Sequence, residues 1–106
     1  MKGRISGVTK FGLFVELDNT IEGLIRLENM HDDYYIYDEE RRMVIGERRK
    51  RTYKIGDPMS VMLVKCDIMS GSIDFLPGNA TLNEVNKFYK NVQKKQKEKN
   101  NIKKNN

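Results

Sequence analysis

Lys10, Phe11 and Phe14 are the residues of this sequence best suited to holding a flat, charged ligand. They fall in the run Gly7-Val8-Thr9-Lys10-Phe11-Gly12-Leu13-Phe14-Val15-Glu16-Leu17. A strand repeats its side-chain direction every second residue, so Leu13, Val15 and Leu17 share one face while Phe14 and Glu16 share the other. The Leu/Val/Leu face is a core face. Phe14 is thereby left on the face that should be wet, near Phe11 and a cation. Exposed rings beside a positive charge offer a stacking surface for a nucleobase and a partner for its phosphate. The competing reading is a Phe14 covered by another part of the fold. Gly12, between the two rings, marks a bulge or a close approach of backbone.

Other reactive residue types are less suggestive. The run Arg48-Arg49-Lys50-Arg51 concentrates cations, and reads equally as a solvated loop or as a phosphate contact. Tyr34, Tyr35 and Tyr37 divide between packing and edging a groove. His31 is the only histidine, and its polar surroundings make it a surface residue. Asp32-Asp33 and Asp38-Glu39-Glu40 bring carboxylates together in sequence. Adjacent side chains on a strand point apart, whereas a Mg²⁺ site needs convergent oxygens, so these are solvated acidic turns pairing with Arg41 or Arg42. Cys66 falls in an inward phase and reads as a small buried hydrophobe. Phosphate-cradling glycine motifs, nucleophile elbows and zinc-ligand spacings do not occur. An autonomous nuclease is therefore disfavoured, and no catalytic or metal-binding residue is assigned.

The 106 residues suffice for one small domain. With 33% charged residues, 38% hydrophobic residues and no Trp, its core is thin and part of the chain is expected to stay unpacked. No apolar run approaches the roughly 20 residues of a membrane span. The start, Met1-Lys2-Gly3-Arg4, leads straight into a strand and does not read as a signal peptide. One cysteine allows no internal disulfide, which fits a reducing cytoplasm. The net charge of +5 is uneven. Residues 1–79 hold 12 Lys and Arg against 13 Asp and Glu, a net −1, while residues 80–106 hold 8 Lys against 2 Glu, a net +6. The basic character belongs to the tail.

The elements that must position the aromatic pair follow from hydrophobic pattern and turn chemistry. Residues 4–9 form a first short strand around Ile5 and Val8, and residues 12–17 a second. Asp18-Asn19-Thr20 is a turn. Glu22 to Leu27 is a third strand with Ile25 and Leu27 inward and Arg26 outward. Residues 28–56 are expected to be an insertion: two β-prone runs around an acidic turn form a hairpin ending in the basic loop. Residues 59–67 are a fourth strand, whose apolar phase slips by one residue at Val64, the signature of a β-bulge. Residues 72–76 are a fifth, with Ile73 and Phe75 inward and Asp74 outward. This all-β pattern fits a small closed or partly open five-stranded barrel, with its binding face on the second and third strands. Phe14 and Arg26 lie there.

Thr81-Leu82-Asn83-Glu84 is a capping box, and Leu82, Val85, Phe88, Tyr89 and Val92 recur at helical spacing. A short helix over 82–95 is expected to dock by that stripe. The Lys/Asn/Gln-rich residues from 94 to 106 should be disordered, with a non-specific phosphate tether as their functional reading.

Three blocks, Gly7 to Glu16, Glu22-Gly23-Leu24-Ile25, and Gly56-Asp57 with Ile73-Asp74-Phe75, resemble the S1 RNA-binding domain, an OB-fold barrel. Asp32-Asp33-Tyr34-Tyr35, Asp38-Glu39, Ile45-Gly46-Glu47-Arg48 and Tyr53-Lys54-Ile55-Gly56-Asp57 narrow the resemblance to the C-terminal S1 domain of the bacterial ribonuclease R family. It covers residues 3–77. The resemblance implies single-stranded RNA crossing strands two and three, with Phe11 and Phe14 as the paired aromatics. It implies a role for Arg26 where members commonly carry His, and for Asp67 at the end of strand four. Members also place a cation in the turn after that strand. Here the turn is Ile68-Met69-Ser70-Gly71-Ser72, and Arg48, Arg49 and Arg51 are the candidates to compensate. In that family, hydrolysis belongs to a separate upstream domain whose carboxylates hold Mg²⁺. This chain, whose Met1 sits inside the first strand, then reads as a fragment that grips substrate and needs no cofactor itself. The expected partners are single-stranded RNA and, through the family, the ribosome. A monomer without membrane contact is expected. The rival function is a protein-interaction module that recruits a ribosomal or RNA-decay partner through the insertion.

Overall fold

The computed structural model describes residues 1–104, with side chains described to Gln93. Eight strands and one long helix follow in order: β1 (Lys2–Val8), β2 (Gly12–Leu17), β3 (Glu22–Arg26), β4 (Tyr35–Asp38), β5 (Met43–Gly46), β6 (Thr52–Lys54), β7 (Pro58–Asp67), β8 (Ser72–Pro77) and α1 (Leu82–Lys104). A 3₁₀ turn, Leu27–Asn29, follows β3.

β1, β2, β3, β8 and β7 close into a barrel in that order. The inward residues of alternating strands fill it. Ile5, Leu13, Val15, Ile25, Val61 and Phe75 are all essentially inaccessible. Closure comes from two contacts between strands distant in sequence. β1 pairs antiparallel with β7 from Lys2–Ser60 to Arg4–Pro58, and β3 meets β8 in parallel at Leu24–Asp74. The expected bulge is present: the β7–β8 register jumps between Leu63 and Lys65, leaving Val64 as the extra residue. A second irregularity lies between Ile5 and Gly7. Glycine is required where strands approach closely. A Cβ on Gly12 would collide with the Ile25 carbonyl oxygen, and one on Gly23 would sit 2.6 Å from the Phe75 ring.

The insertion is a three-stranded antiparallel sheet, β4-β5-β6, where a hairpin was expected. Thr52-Tyr53-Lys54 supplies the extra strand, pairing with Met43 to Ile45. Three residues with one apolar side chain carry too little alternation to read as a strand alone. Tyr35 and Val44 anchor this sheet in the barrel core. The Tyr35 ring meets Tyr53 edge-on at 5.7 Å, and its hydroxyl donates to the Asp32 carboxylate at 3.0 Å. Burial, then hydrogen bonding with Tyr53 and Asp32, pushes this phenol far above the ordinary tyrosine range.

α1 covers the outer side of β7 and β8. Phe88 packs with Val64 and Leu76, flanked by Val85 and Val92, while the Tyr89 hydroxyl donates to the Val64 carbonyl at 2.7 Å. Thr81 caps the helix by accepting the Glu84 amide at 3.2 Å. Two expectations are corrected here. Leu82 is 75% exposed because it lies in the first turn, before the helix reaches the barrel. Cys66 is exposed, since it pairs with Ile73 near the free end of the β7–β8 ribbon, beyond the core layers. The helix also continues past residue 95 to Lys104. The end expected to be disordered from residue 94 is thus helical as far as Lys104, because the helix started by the Thr81 cap runs on through residues of good helix propensity, and residues 105–106 lie outside the described residues.

Candidate nucleic-acid interface

The outward residues of β2, β3 and β8 line a shallow groove of about 250 Å³ on the barrel wall. Phe14, Glu22, Leu24, Arg26, Ser72 and Asp74 face it. The registers explain why these side chains meet. Phe14 sits opposite Leu24, and Leu24 opposite Asp74, so one row crosses three strands. Directly opposed residues on neighbouring strands point to the same side of the sheet.

Phe14 is half-buried, lines the groove and packs beside Gly7, its partner across β1 and β2. Phe11 lies beyond the end of β2 in the β1–β2 turn and is 68% exposed. Thr9 fixes that turn by accepting the Phe11 and Gly12 amides at 3.1 and 3.2 Å. Lys10 Nζ stands 5.2 Å from the Phe11 ring centre, so cation and ring are presented together. Arg26 is on the same end of the groove, because Gly12 pairs with Arg26. Its Nε lies 3.5 Å from Asp74 Oδ1. Phe14 and Arg26 are therefore brought into one groove, while Lys10 and Phe11 stand in the β1–β2 turn at its end, and neither they nor Asp67 line it.

Asp67 ends β7. It accepts the Met69 and Ser70 amides at 3.1 and 3.3 Å, which shapes the β7–β8 turn. Hydrogen bonds from Ser70, assisted by Met69 and the charge of Lys65, hold its carboxyl below the usual range. Arg48, Arg49 and Arg51 are placed elsewhere. None lines the groove. The loop that carries them is pinned by Asp33, which accepts the amides of Arg48 and Arg49 at 3.0 and 2.9 Å, and Arg51 lies 3.9 Å from Asp32. The acidic turns do pair locally, with Arg41 at 3.8 Å from Asp38. His31 is exposed. Among the described residues no three His, Cys, Asp or Glu side chains converge to hold a metal ion. No helix among them is long and apolar enough to cross a membrane.

The sequence reading missed Glu22, Leu24 and Asp74 as groove walls. Glu22, Leu24 and Arg26 alternate on the outward face of β3 and were available to a period-two argument. Asp74 joins them only through the parallel β3–β8 contact, which has no local signature.

A closed five-stranded barrel with aromatic and cationic side chains on its β2–β3 face has the architecture of a single-strand nucleic-acid-binding OB domain. Residues 1–76 match the S1 RNA binding domain family, and the chain belongs to it. It is 49% identical over 74 residues to ribonuclease R 1 of Lactococcus lactis, a match covering 70% of this chain and 9% of that protein. It is 39% identical over 75 residues to ribonuclease R of Escherichia coli, covering 70% and 9%. The solved structure of Mycoplasma genitalium RNase R in complex with ribose-methylated single-stranded RNA superposes with a TM-score of 0.68 at 31% identity, covering 72% of this chain and 12% of that one. The chain thus spans about a tenth of the length of the relatives it matches.

Proposed function

We propose that this chain grips single-stranded RNA, as the substrate-holding S1 domain of a cytoplasmic 3′–5′ exoribonuclease of the ribonuclease R type. The observation that carries the proposal is Phe14. It is a half-exposed ring on the outer face of the barrel, packed beside Gly7 and sharing the groove with Leu24 and Arg26. A base stacks on Phe14 or Phe11, while Lys10 and Arg26 attract the phosphates. Such contacts tolerate any base, because every base has a π-face. Hydrolysis falls to a separate domain holding Mg²⁺, and this domain supplies grip.

Titration of the ¹⁵N-labelled full chain with a short single-stranded RNA tests the reading. Shifts are expected from Lys10 to Phe14 and at Leu24, Arg26 and Asp74. Phe14→Ala should weaken binding roughly 5- to 150-fold, the range for one stacking ring, with the fold retained because Phe14 belongs to neither core cluster. Equal binding by the variant overturns the proposal.

The inserted sheet supports a second reading, a protein-docking module. Ile36, Tyr37 and Ile45 line an open pocket of about 570 Å³ together with Asp38, Glu39, Glu40 and Glu47. If that reading holds, substitutions there abolish capture of a protein partner, and RNA binds only through the tail.

A further inference from the structure

The outward face of the inserted sheet differs in chemistry from the groove. Tyr35 and Val44 turn toward the barrel core, so the residues that alternate with them, Ile36 and Ile45, turn away from it. These isoleucines sit directly opposite each other on β4 and β5, which puts both side chains on one side of the sheet. Neither belongs to a core cluster, and Ile36 is 45% exposed. Together they give the open pocket of about 570 Å³ an apolar lining.

The rest of the lining is acidic. Asp38, Glu39, Glu40 and Glu47 stand there against one cation, Lys50. Arg41, Arg42, Arg48 and Arg49 flank these residues in sequence, but none of them lines the pocket. Arg41 engages Asp38, whereas Glu39, Glu40 and Glu47 are exposed and take part in none of the ion pairs among the described residues. Such a rim repels a phosphate chain, and the pocket shares no lining residue with the groove. A single metal ion is also a poor fit, because among the described residues no three carboxylates converge to hold one. Carboxylates spread around an apolar pair instead match a ligand whose positive charges are spaced along a chain with an apolar group among them. Lysine-rich peptide segments are built in that way.

We propose that the Ile36–Ile45 pocket docks a lysine-rich segment of a partner protein through one aliphatic side chain, with Glu39, Glu40 and Glu47 holding the lysines on either side of it. This inference rests on the protein-docking reading of the inserted sheet and names the partner's chemistry, while leaving the groove free for RNA. The apolar contact supplies affinity that moderate salt does not weaken, and the exposed carboxylates supply attraction that salt screens. The insertion thereby selects a basic protein and rejects the RNA that the barrel holds.

The test titrates the ¹⁵N-labelled full chain with a short synthetic peptide that carries lysines on both sides of one isoleucine, and with a second peptide that has serines in place of the lysines. With the first peptide, shifts are expected at Ile36, Ile45 and Glu47 and not at Phe14 or Asp74. Glu39→Gln, Glu40→Gln and Glu47→Gln together should weaken its binding about 5- to 30-fold at low salt, the loss expected for three exposed charge pairs, and should remove most of its salt dependence. These substitutions keep the side-chain shape and fall on exposed positions, so the fold is retained. Ile36→Ser should weaken binding about 3- to 12-fold, the share left to an isoleucine that is already partly covered. Equal shifts with the serine peptide leave the docking reading standing and overturn the cationic partner. No shift at Ile36 or Ile45 with either peptide overturns both. Shifts of the lysine peptide that spread equally to Glu22 and Asp74 show indiscriminate attraction of charge and overturn the inference as well.

Discussion

Arg26 Nε lies 3.5 Å from Asp74 Oδ1, joining β3 to β8 beside their parallel contact at Leu24 and Asp74. Arg26 is 45% exposed and Asp74 14%, so the carboxylate is the better-sheltered partner and holds the guanidinium against the sheet. This pairing fixes where the groove's cation points, and also competes with any phosphate for it. An ion pair this exposed is worth only about 0–1 kcal/mol. Asp74→Asn removes both the competition and a negative charge from the groove. RNA affinity at low salt should rise by up to about fivefold, and the gain should vanish at high salt. Filter binding across a salt series checks this. A variant that binds more weakly would mean that Asp74 positions Arg26 more than it competes.

The approach of β2 to β3 gives a stability prediction. Gly12 is buried, and any Cβ there meets the Ile25 carbonyl oxygen, a backbone atom that cannot rotate away. Gly12→Ala must push the two strands apart at the point where Phe11 and Arg26 are presented. A loss of about 3 kcal/mol is expected, at the upper end of overpacking costs. Urea denaturation measures it. Gly71→Ala is the contrast, because nothing lies within 4 Å of that position and only the strain of φ 72° opposes the methyl group. Its cost should be about 1 kcal/mol.

Legibility from the sequence tracked how local each signal was. Leu13, Val15 and Leu17 alternate cleanly, and β2 was read with its observed bounds. The slip at Val64 was visible because three apolar residues precede it in one phase and two follow in the other. That same slip misled the reading of Cys66, since phase reports a face and not how far the core extends along it. β6 was lost because Thr52-Tyr53-Lys54 is too short for a period. Asp74 as a groove wall depended on pairing between strands some 50 residues apart, and the position of Arg48 to Arg51 depended on how the inserted sheet docks. Neither is encoded in neighbouring residues. Phe14 was found because an aromatic out of phase with its own core is a local contradiction that calls for explanation.

The helix matters more to the barrel than a basic tail would. Phe88 is 6% exposed and closes a second apolar cluster over Val64 and Leu76 on the outer side of β7 and β8. Phe88→Ala should cost about 3 kcal/mol, typical for a buried aromatic truncated to a methyl group. Domains of this size are stable by only about 5–15 kcal/mol. Ending the chain at residue 79 should therefore expose Leu76 and lower the thermal midpoint, while ending it at residue 93 should not. Thermal melts of the two truncations followed by circular dichroism distinguish these outcomes. Equal midpoints would mean that the helix rests on the barrel without supporting it.

Acid should loosen two loops through carboxylates that the fold holds ionised. Asp33 accepts the amides of Arg49, Arg48 and Tyr34, and the Arg49 bond is foremost in lowering its pKa from the ordinary 3.8. Asp67 is lowered in the same direction, chiefly by Ser70. A carboxyl with a depressed folded pKa binds protons less readily when folded than when unfolded. Its stabilisation is complete above the unfolded value and is lost as pH falls through the folded one. The urea midpoint should therefore be level from about pH 7 to about pH 5, and should fall below about pH 4. Asp33→Asn keeps one oxygen for the Tyr34 and Arg48 amides but sets an NH2 donor against the Arg49 amide and removes the titration, so its midpoint should start lower at neutral pH and fall less steeply in acid. Asp33→Asn combined with Asp67→Asn should be flatter still. An unchanged acid slope in both variants would show that neither carboxylate carries the pH dependence, and that the Arg48–Arg51 loop is held by its backbone alone.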